Sequence, residues 1–182
     1  MRLFVAINLS EEIKDSLCET ISDLRAAARR GRYTHRENLH LTLVFIGETD
    51  LVDDILDIME EVCVEVFTEP VTLTLSGAGA FRGRGGDLHW VGLENTPELK
   101  RLAGALGDGL REAGFGIEKR RFVPHITIGR EIVIDPGSDS GVNVRMAEMQ
   151  ADRISLMRSD RPGGTLVYTE IASVPCGMIQ EE

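Results

Sequence analysis

Cysteine, aromatic residues and positive charge are all scarce in this chain of 182 residues. The three cysteines, Cys18, Cys63 and Cys176, are odd in number and lie far apart without CxxC spacing, which argues against a disulfide framework or a structural zinc site. Cys18 and Cys63 fall within helical patterns and read as small core residues. No apolar run approaches the roughly 18 residues that a membrane-spanning helix needs. The opening residues 1–9 hold only a short apolar stretch, with Glu11 and Glu12 close behind and no small-residue cleavage site. They read as the first strand of a cytoplasmic protein rather than a signal peptide. Lys and Arg number 20 against 30 Asp and Glu, a formal net charge of −10. Such a balance argues against an extended duplex-binding surface, which gains affinity by neutralising many phosphates.

What charge there is lies unevenly. Residues 48–69 carry nine acidic side chains and no basic one. Arg25, Arg29, Arg30, Arg32 and Arg36 form one basic cluster, and Lys119, Arg120, Arg121 and Arg130 another. Local basic clusters on an acidic body fit a small anionic substrate or a nucleic-acid end better than a long track.

The periodicity alternates strands and helices irregularly, an α+β order with no linker between independent domains. Strands are expected at 2–8, 39–46, 71–75, 88–93, 122–129, 142–149, 154–157 and 166–172. Helices are expected at 10–30, capped by Ser10, at 51–67, and at 96–113, where Thr96-Pro97-Glu98 is a strong start signal. The glycine-rich 76–86 (SGAGAFRGRGG) lacks the spacing of a phosphate-binding fingerprint and reads as a mobile hairpin or lip with Arg82 and Arg84 exposed. Turns are expected at 135–141 and 159–164.

Histidine is also rare, with four in the chain, and two of them head the same pattern. His40-Leu41-Thr42-Leu43 lies within NLHLTLVFIGE, and His125-Ile126-Thr127-Ile128 within RFVPHITIGR. In a strand, side chains two apart share a face, so each segment presents an imidazole beside a hydroxyl while its leucines or isoleucines turn to the core. Two such motifs with apolar residues at all four intervening positions arise in about one shuffle in a thousand of this composition. Two histidines suit an in-line displacement at phosphorus, which needs a base on one side and an acid on the other near neutral pH. Threonine hydroxyls can donate to the non-bridging oxygens where charge accumulates. No His, Asp and Glu cluster at metal-ligand spacing accompanies them, so neither a metal nor a cofactor is expected.

The paired HxTx motifs, together with RLFVAINL, ENLHLTLVFIGE, the aromatic in GAGAF, PHITIGR and LMRS followed by GTLVY, resemble the 2H phosphoesterase superfamily, in particular its RNA 2′,3′-cyclic phosphodiesterase branch, historically called 2′-5′ RNA ligase. The resemblance implies one bilobal domain over residues 1–182: two βαβ-type halves with antiparallel sheets, related by a pseudo-two-fold axis, around a central cleft with helices on the outer faces. It assigns His40 as proton donor to the leaving 3′ oxygen, His125 as the base activating water, and Thr42, Thr127 and Arg130 as phosphate-binding residues. Strict alternation turns Arg130 away from the cleft, so a bulge must re-aim it. The chain departs from the family in GRYTHREN before the first motif and in Val44, where a basic residue often stands.

The implied substrate is an RNA end or small nucleotide bearing a 2′,3′-cyclic phosphate, hydrolysed by a monomer to a 2′-phosphate, with reversible 2′-5′ ligation as a side activity. Alternatives are a phosphodiesterase for small cyclic nucleotides or 2′-5′ oligoadenylate, a catalytically silent RNA-end binding module, and a metal-dependent hydrolase using Asp53, Asp57 or Glu60. His35 reads as a loop residue and His89 as packing beside Trp90. Phe45 and Phe122 read as core, while Phe81 and Tyr168 are left open as base-stacking rings.

Overall fold

The computed structural model describes residues 1–139 and 142–177. The elements run β1 (Arg2–Asn8), α1 (Glu11–Ala27), β2 (Arg30–Tyr33), β3 (His40–Glu48), α2 (Val52–Glu65), β4 (Val71–Phe81), β5 (Asp87–Leu93), α3 (Pro97–Glu112), β6 (His125–Val133), β7 (Glu148–Ala151), β8 (Arg153–Asp160) and β9 (Val167–Pro175). The strands form two antiparallel sheets, one ordered β3-β1-β8-β9 and the other β2-β6-β5-β4-β7.

The two sheets repeat one plan. Each motif strand pairs with the strand that precedes its helix: β3 with β1 across α1, and β6 with β5 across α3. Asn8 stands opposite His40, and Gly92 opposite His125; Ala6 stands opposite Thr42, and Trp90 opposite Thr127. The same irregularity comes next in both, because one extra residue intervenes after each motif threonine. Val5 faces Val44 rather than Leu43, and His89 faces Gly129 rather than Ile128. The terminal leucine or isoleucine of each HxTx motif is therefore a bulge, which increases local twist and re-aims the side chains beyond it.

Helices back the apolar faces. Helix α1 packs on β2, β6 and β7, whereas α2 packs on α3 and β9 and α3 on β3. Ser10 and Thr96 cap α1 and α3 by accepting from the backbone N–H three residues on, and Pro97 starts α3. Ile13, Leu17 and Leu24 of α1, Leu3, Val5 and Ile7 of β1, Leu73 and Leu75 of β4 and Leu102 and Leu106 of α3 join one continuous buried core. On the other face of β1, Phe4 and Ala6 join Met157 and Tyr168 in a small separate cluster. That second face belongs to the cleft. The acids of α2, including Asp53, Asp57 and Glu60, are exposed, while Ile55, Met59, Val62 and Cys63 are buried. Cys63 is fully buried and burial pushes its thiol up to about 12; Cys18 packs against the core.

Several expected elements differ. Helix α1 stops at Ala27, short of residue 30, because Arg30–Tyr33 leave it to pair with β6. The expected strand 142–149 begins only at Glu148: the carbonyls of Asn143 and Arg145 accept from Thr20 and Ser16 on α1 instead of from a neighbouring strand. β4 runs on through the glycine-rich segment to Phe81. Gly79 is needed there, since a Cβ would lie 2.3 Å from the Trp90 ring that crosses it. The tip of this hairpin is tied down. Arg30 Nη2 donates to Gly85 O at 3.4 Å, and Gly86 (φ +126°) lies so close to the Glu131 backbone that a Cβ would clash at 2.5 Å. Arg82 and Arg84 are exposed on it as expected. The expected turn 135–141 falls partly on 140 and 141, outside the described residues. Among the described residues no helix is long and apolar enough to cross a membrane.

Candidate active site

β3 and β6, the two motif strands, approach each other between the sheets. Alternation places Leu39, Leu41 and Leu43 in the core and leaves His40 and Thr42 half-buried on the cleft side; Ile126 and Ile128 are buried while His125 and Thr127 are half-buried. The charges of Arg130 and His125 both bear on His40, so the three groups share one electrostatic environment.

The two rings are fixed by the same bond. His40 Nδ1 lies 2.7 Å from the carbonyl oxygen of Asn38, and His125 Nδ1 lies 2.7 Å from that of Val123. A carbonyl oxygen only accepts, so each Nδ1 carries the proton and each Nε2 is the nitrogen left for proton transfer. His40 Nε2 sits 2.8 Å from Thr42 Oγ1. The neutral ring accepts from this hydroxyl, and the protonated ring donates to it. Burial is the largest influence on His40 and lowers its pKa below the ordinary 6.5, with Arg130 and His125 pushing the same way and the Asn38 carbonyl opposing them.

Aromatic rings flank each imidazole. Phe4 and Tyr168 lie 5.0 and 4.9 Å from His40, and Phe81 and Trp90 lie 5.8 and 6.4 Å from His125, centroid to centroid. Tyr168 and Phe81 thus stand beside the motif histidines, and Phe81 is 48% exposed. Phe122 packs against the core as expected, but Phe45 does not. The bulges turn Phe45 outward, where it is 47% exposed with the Arg2 guanidinium over its ring at 5.0 Å. His89, next to Trp90 on β5, is half-buried, and burial lowers its pKa; His35 is an exposed residue of the loop before β3.

Arg130 is exposed and sits at a bulge. Between Asp87 and His89 on β5, β6 carries one extra residue, and Glu131 takes a positive φ of 54°. The earlier bulge at Ile128 sets one extra residue between Thr127 and Arg130 and so shifts the alternation ahead of Arg130, whose charge bears on His40. Glu131 itself is engaged by Arg32 at 2.9 Å. Among the described residues no three His, Cys, Asp or Glu gather in a metal-ligating group.

One positioning residue escaped the sequence reading. Asn38, 8% exposed, holds His40 through its carbonyl while its side-chain amide donates to Leu166 O at 2.9 Å and accepts from Tyr168 N at 3.4 Å. It ties the start of β9 to the start of β3. The ENLHLTL segment shows the asparagine, but its partners lie some 130 residues away, beyond the reach of any local pattern.

Comparison with known proteins agrees with this geometry. The family model described as the 2′-5′ RNA ligase superfamily matches residues 13–163. An RNA 2′,3′-cyclic phosphodiesterase of Thermotoga maritima is 39% identical over 132 residues, 71% of this chain and 70% of its own length. The protein of that name from Methanothermobacter thermautotrophicus is 30% identical over 94% of this chain and 96% of its own. Among solved structures, TT0787 of Thermus thermophilus superposes with a TM-score of 0.80 at 27% identity, covering 97% of this chain and 98% of that one. Escherichia coli LigT complexed with 3′-AMP does so at 0.75 and 26% identity over the same shares. The two-sheet α+β fold, the paired HxTx strands and these relatives agree: the chain belongs to the 2′-5′ RNA ligase superfamily, the 2H phosphoesterases.

Proposed function

We propose that this protein is an enzyme that hydrolyses 2′,3′-cyclic phosphate ends of RNA to 2′-phosphomonoesters, with His40 and His125 as a metal-independent acid–base pair. Water attacks phosphorus in line with the departing 3′ oxygen. His125 Nε2 takes the proton of that water, the P–O3′ bond breaks, and His40 Nε2 gives its proton to the 3′ oxygen. Thr42, Thr127 and Arg130 face the non-bridging oxygens, where they offset the charge that develops.

The observation that carries this reading is the matched Nδ1–carbonyl bond on the two facing motif strands, which leaves both Nε2 atoms for proton transfer. The names of the relatives support the substrate class. The lowered pKa of His40 fits an acid that is charged by its own substrate. A bound phosphodiester anion favours the imidazolium, so the donor is armed when the phosphate arrives. That same lowered pKa also favours a second reading with the roles exchanged, in which His40 is the base and the 2′ oxygen leaves.

Product analysis separates these. Purified protein is incubated in chelator with RNA ending in a 2′,3′-cyclic phosphate. A 2′-phosphomonoester supports the first reading, a 3′-phosphate the exchanged roles. Binding without turnover would make the protein a silent RNA-end module, and dependence on added metal would overturn the two-histidine scheme.

A further inference from the structure

The repeated plan breaks at one place on the cleft face. Opposite His125 stands Gly92; opposite His40 stands Asn8, with a polar cluster behind it. Asn8 Nδ2 donates to Glu170 Oε2 at 2.9 Å and to Ser155 Oγ at 3.2 Å, with Met157 Sδ 3.9 Å away. The Ser155 hydroxyl donates to the same Glu170 Oε2 at 2.7 Å. Ser155 is fully buried, whereas Asn8 and Glu170 are exposed. All three lie on the cleft side, for Ser155 faces Ala6, and Glu170 shares its face of β9 with Tyr168, whose ring packs on His40.

The hydrogen-bond inventory of this cluster closes in one direction. Both Asn8 amide hydrogens and the Ser155 hydroxyl hydrogen are spent inside it, which also settles which end of the Asn8 amide is nitrogen. What remains toward the cleft is the Asn8 Oδ1 and the Glu170 Oε1, neither of which has a protein donor among the described residues. The cluster therefore offers acceptors only. It repels phosphate and takes a hydrogen-bond donor.

In a hydrolysis at phosphorus the two sides of the phosphate are unlike: one holds the nucleoside, the other only water. The His and Thr pairs serve both sides alike, so a feature present on one side marks the nucleoside. Resting on the functional reading above, we propose that Asn8, Ser155 and Glu170 form a nucleobase subsite beside His40 that accepts from an exocyclic amino group. It selects amino-bearing terminal bases over uracil, whose 4-carbonyl would face fixed acceptors.

Matched substrates test this. The 2′,3′-cyclic phosphates of adenosine and of purine riboside differ only in the amino group, and cytidine is paired likewise with uridine. A hydrogen bond to a charged acceptor predicts that losing the amine lowers kcat/KM about tenfold or more in the wild type. In Glu170→Gln, which keeps the size but not the charge of the acceptor, the gap should close to about twofold. Equal wild-type rates within both pairs would overturn the subsite whether or not the variant folds, as would a gap that survives Glu170→Gln unchanged. If neither these cyclic nucleotides nor RNA ending in a 2′,3′-cyclic phosphate turns over, the functional reading falls by itself. Calorimetry of 2′-AMP against purine riboside 2′-phosphate then decides the subsite: tighter 2′-AMP binding supports it and equal binding overturns it.

Discussion

Asn38 holds His40 by its backbone and the edge of β9 by its side chain, so the ring's orientation and the curl of the sheet depend on one residue. Asn38→Ala keeps the carbonyl but removes the amide that reaches Leu166 and Tyr168. Leaving those backbone groups unpaired costs about 1–3 kcal/mol. The variant should show a lowered melting temperature and a kcat reduced more than KM is raised. Unchanged kcat with only a lower melting temperature would mean that Asn38 supports the sheet but not the histidine.

Removing either imidazole should be costly to turnover and cheap to binding. A positioned acid or base contributes about 10²–10⁴-fold, so His40→Ala and His125→Ala should each lose that much kcat on a cyclic-phosphate end. Because both act on one displacement, the double variant should lose less than the product of the single losses. Thr42→Ala and Thr127→Ala should be milder, each removing one donor among several. Single-turnover rates together with equilibrium binding of the 2′-phosphate product check this.

His40 also makes stability depend on pH. Its folded pKa lies below the ordinary 6.5, so the unfolded chain binds the proton more tightly. Stability is therefore unaffected by this group above 6.5 and falls as the pH drops below it, until the folded ring also protonates. The slope from one such group is at most about 1.4 kcal/mol per pH unit. Urea unfolding between about pH 7.5 and 5 should show His40→Gln losing less stability on acidification than the wild type. Equal slopes would mean that His40 is not held neutral.

Gly79→Ala should disturb the His125 side without touching a reactive group. The new methyl would press on the Trp90 ring, which lies beside both Phe81 and His125. Overpacking of this kind costs about 1–3 kcal/mol. Tryptophan fluorescence should shift and kcat should fall, whereas an alanine at the uncrowded Gly77 should change neither.

The motif strands were legible because two rules act locally: apolar residues at period two, and a histidine and threonine two apart on the other face. Helices with hydroxyl caps at Ser10 and Thr96 were legible for the same reason. Bulges were not, since an extra residue is defined only against the register of a partner strand. Phe45 reads as core by alternation and becomes exposed once Leu43 and Ile46 slip out of step with β1. Arg30–Tyr33 looked like the tail of a basic helix, because a four-residue edge strand has too little pattern to announce itself. The Asn8, Ser155 and Glu170 cluster joins residues up to 162 positions apart, a distance over which composition and periodicity carry no information.

The sheet that carries His40 is built from β1 and β3 near the start of the chain and β8 and β9 at its end, while the other sheet is a single central stretch apart from β2. On the ribosome, the central half can pair its strands as soon as β7 emerges. β1 and β3 can pair with each other early, but their sheet is complete only once β8 and β9 have emerged, and with them the ring of Tyr168 that packs on His40. Vectorial synthesis thus assembles the His125 lobe first and completes the His40 lobe last. A chain that lacks β9 would carry His40 without the Tyr168 ring that packs on it and without the bonds by which Asn38 ties β3 to the far edge of the sheet.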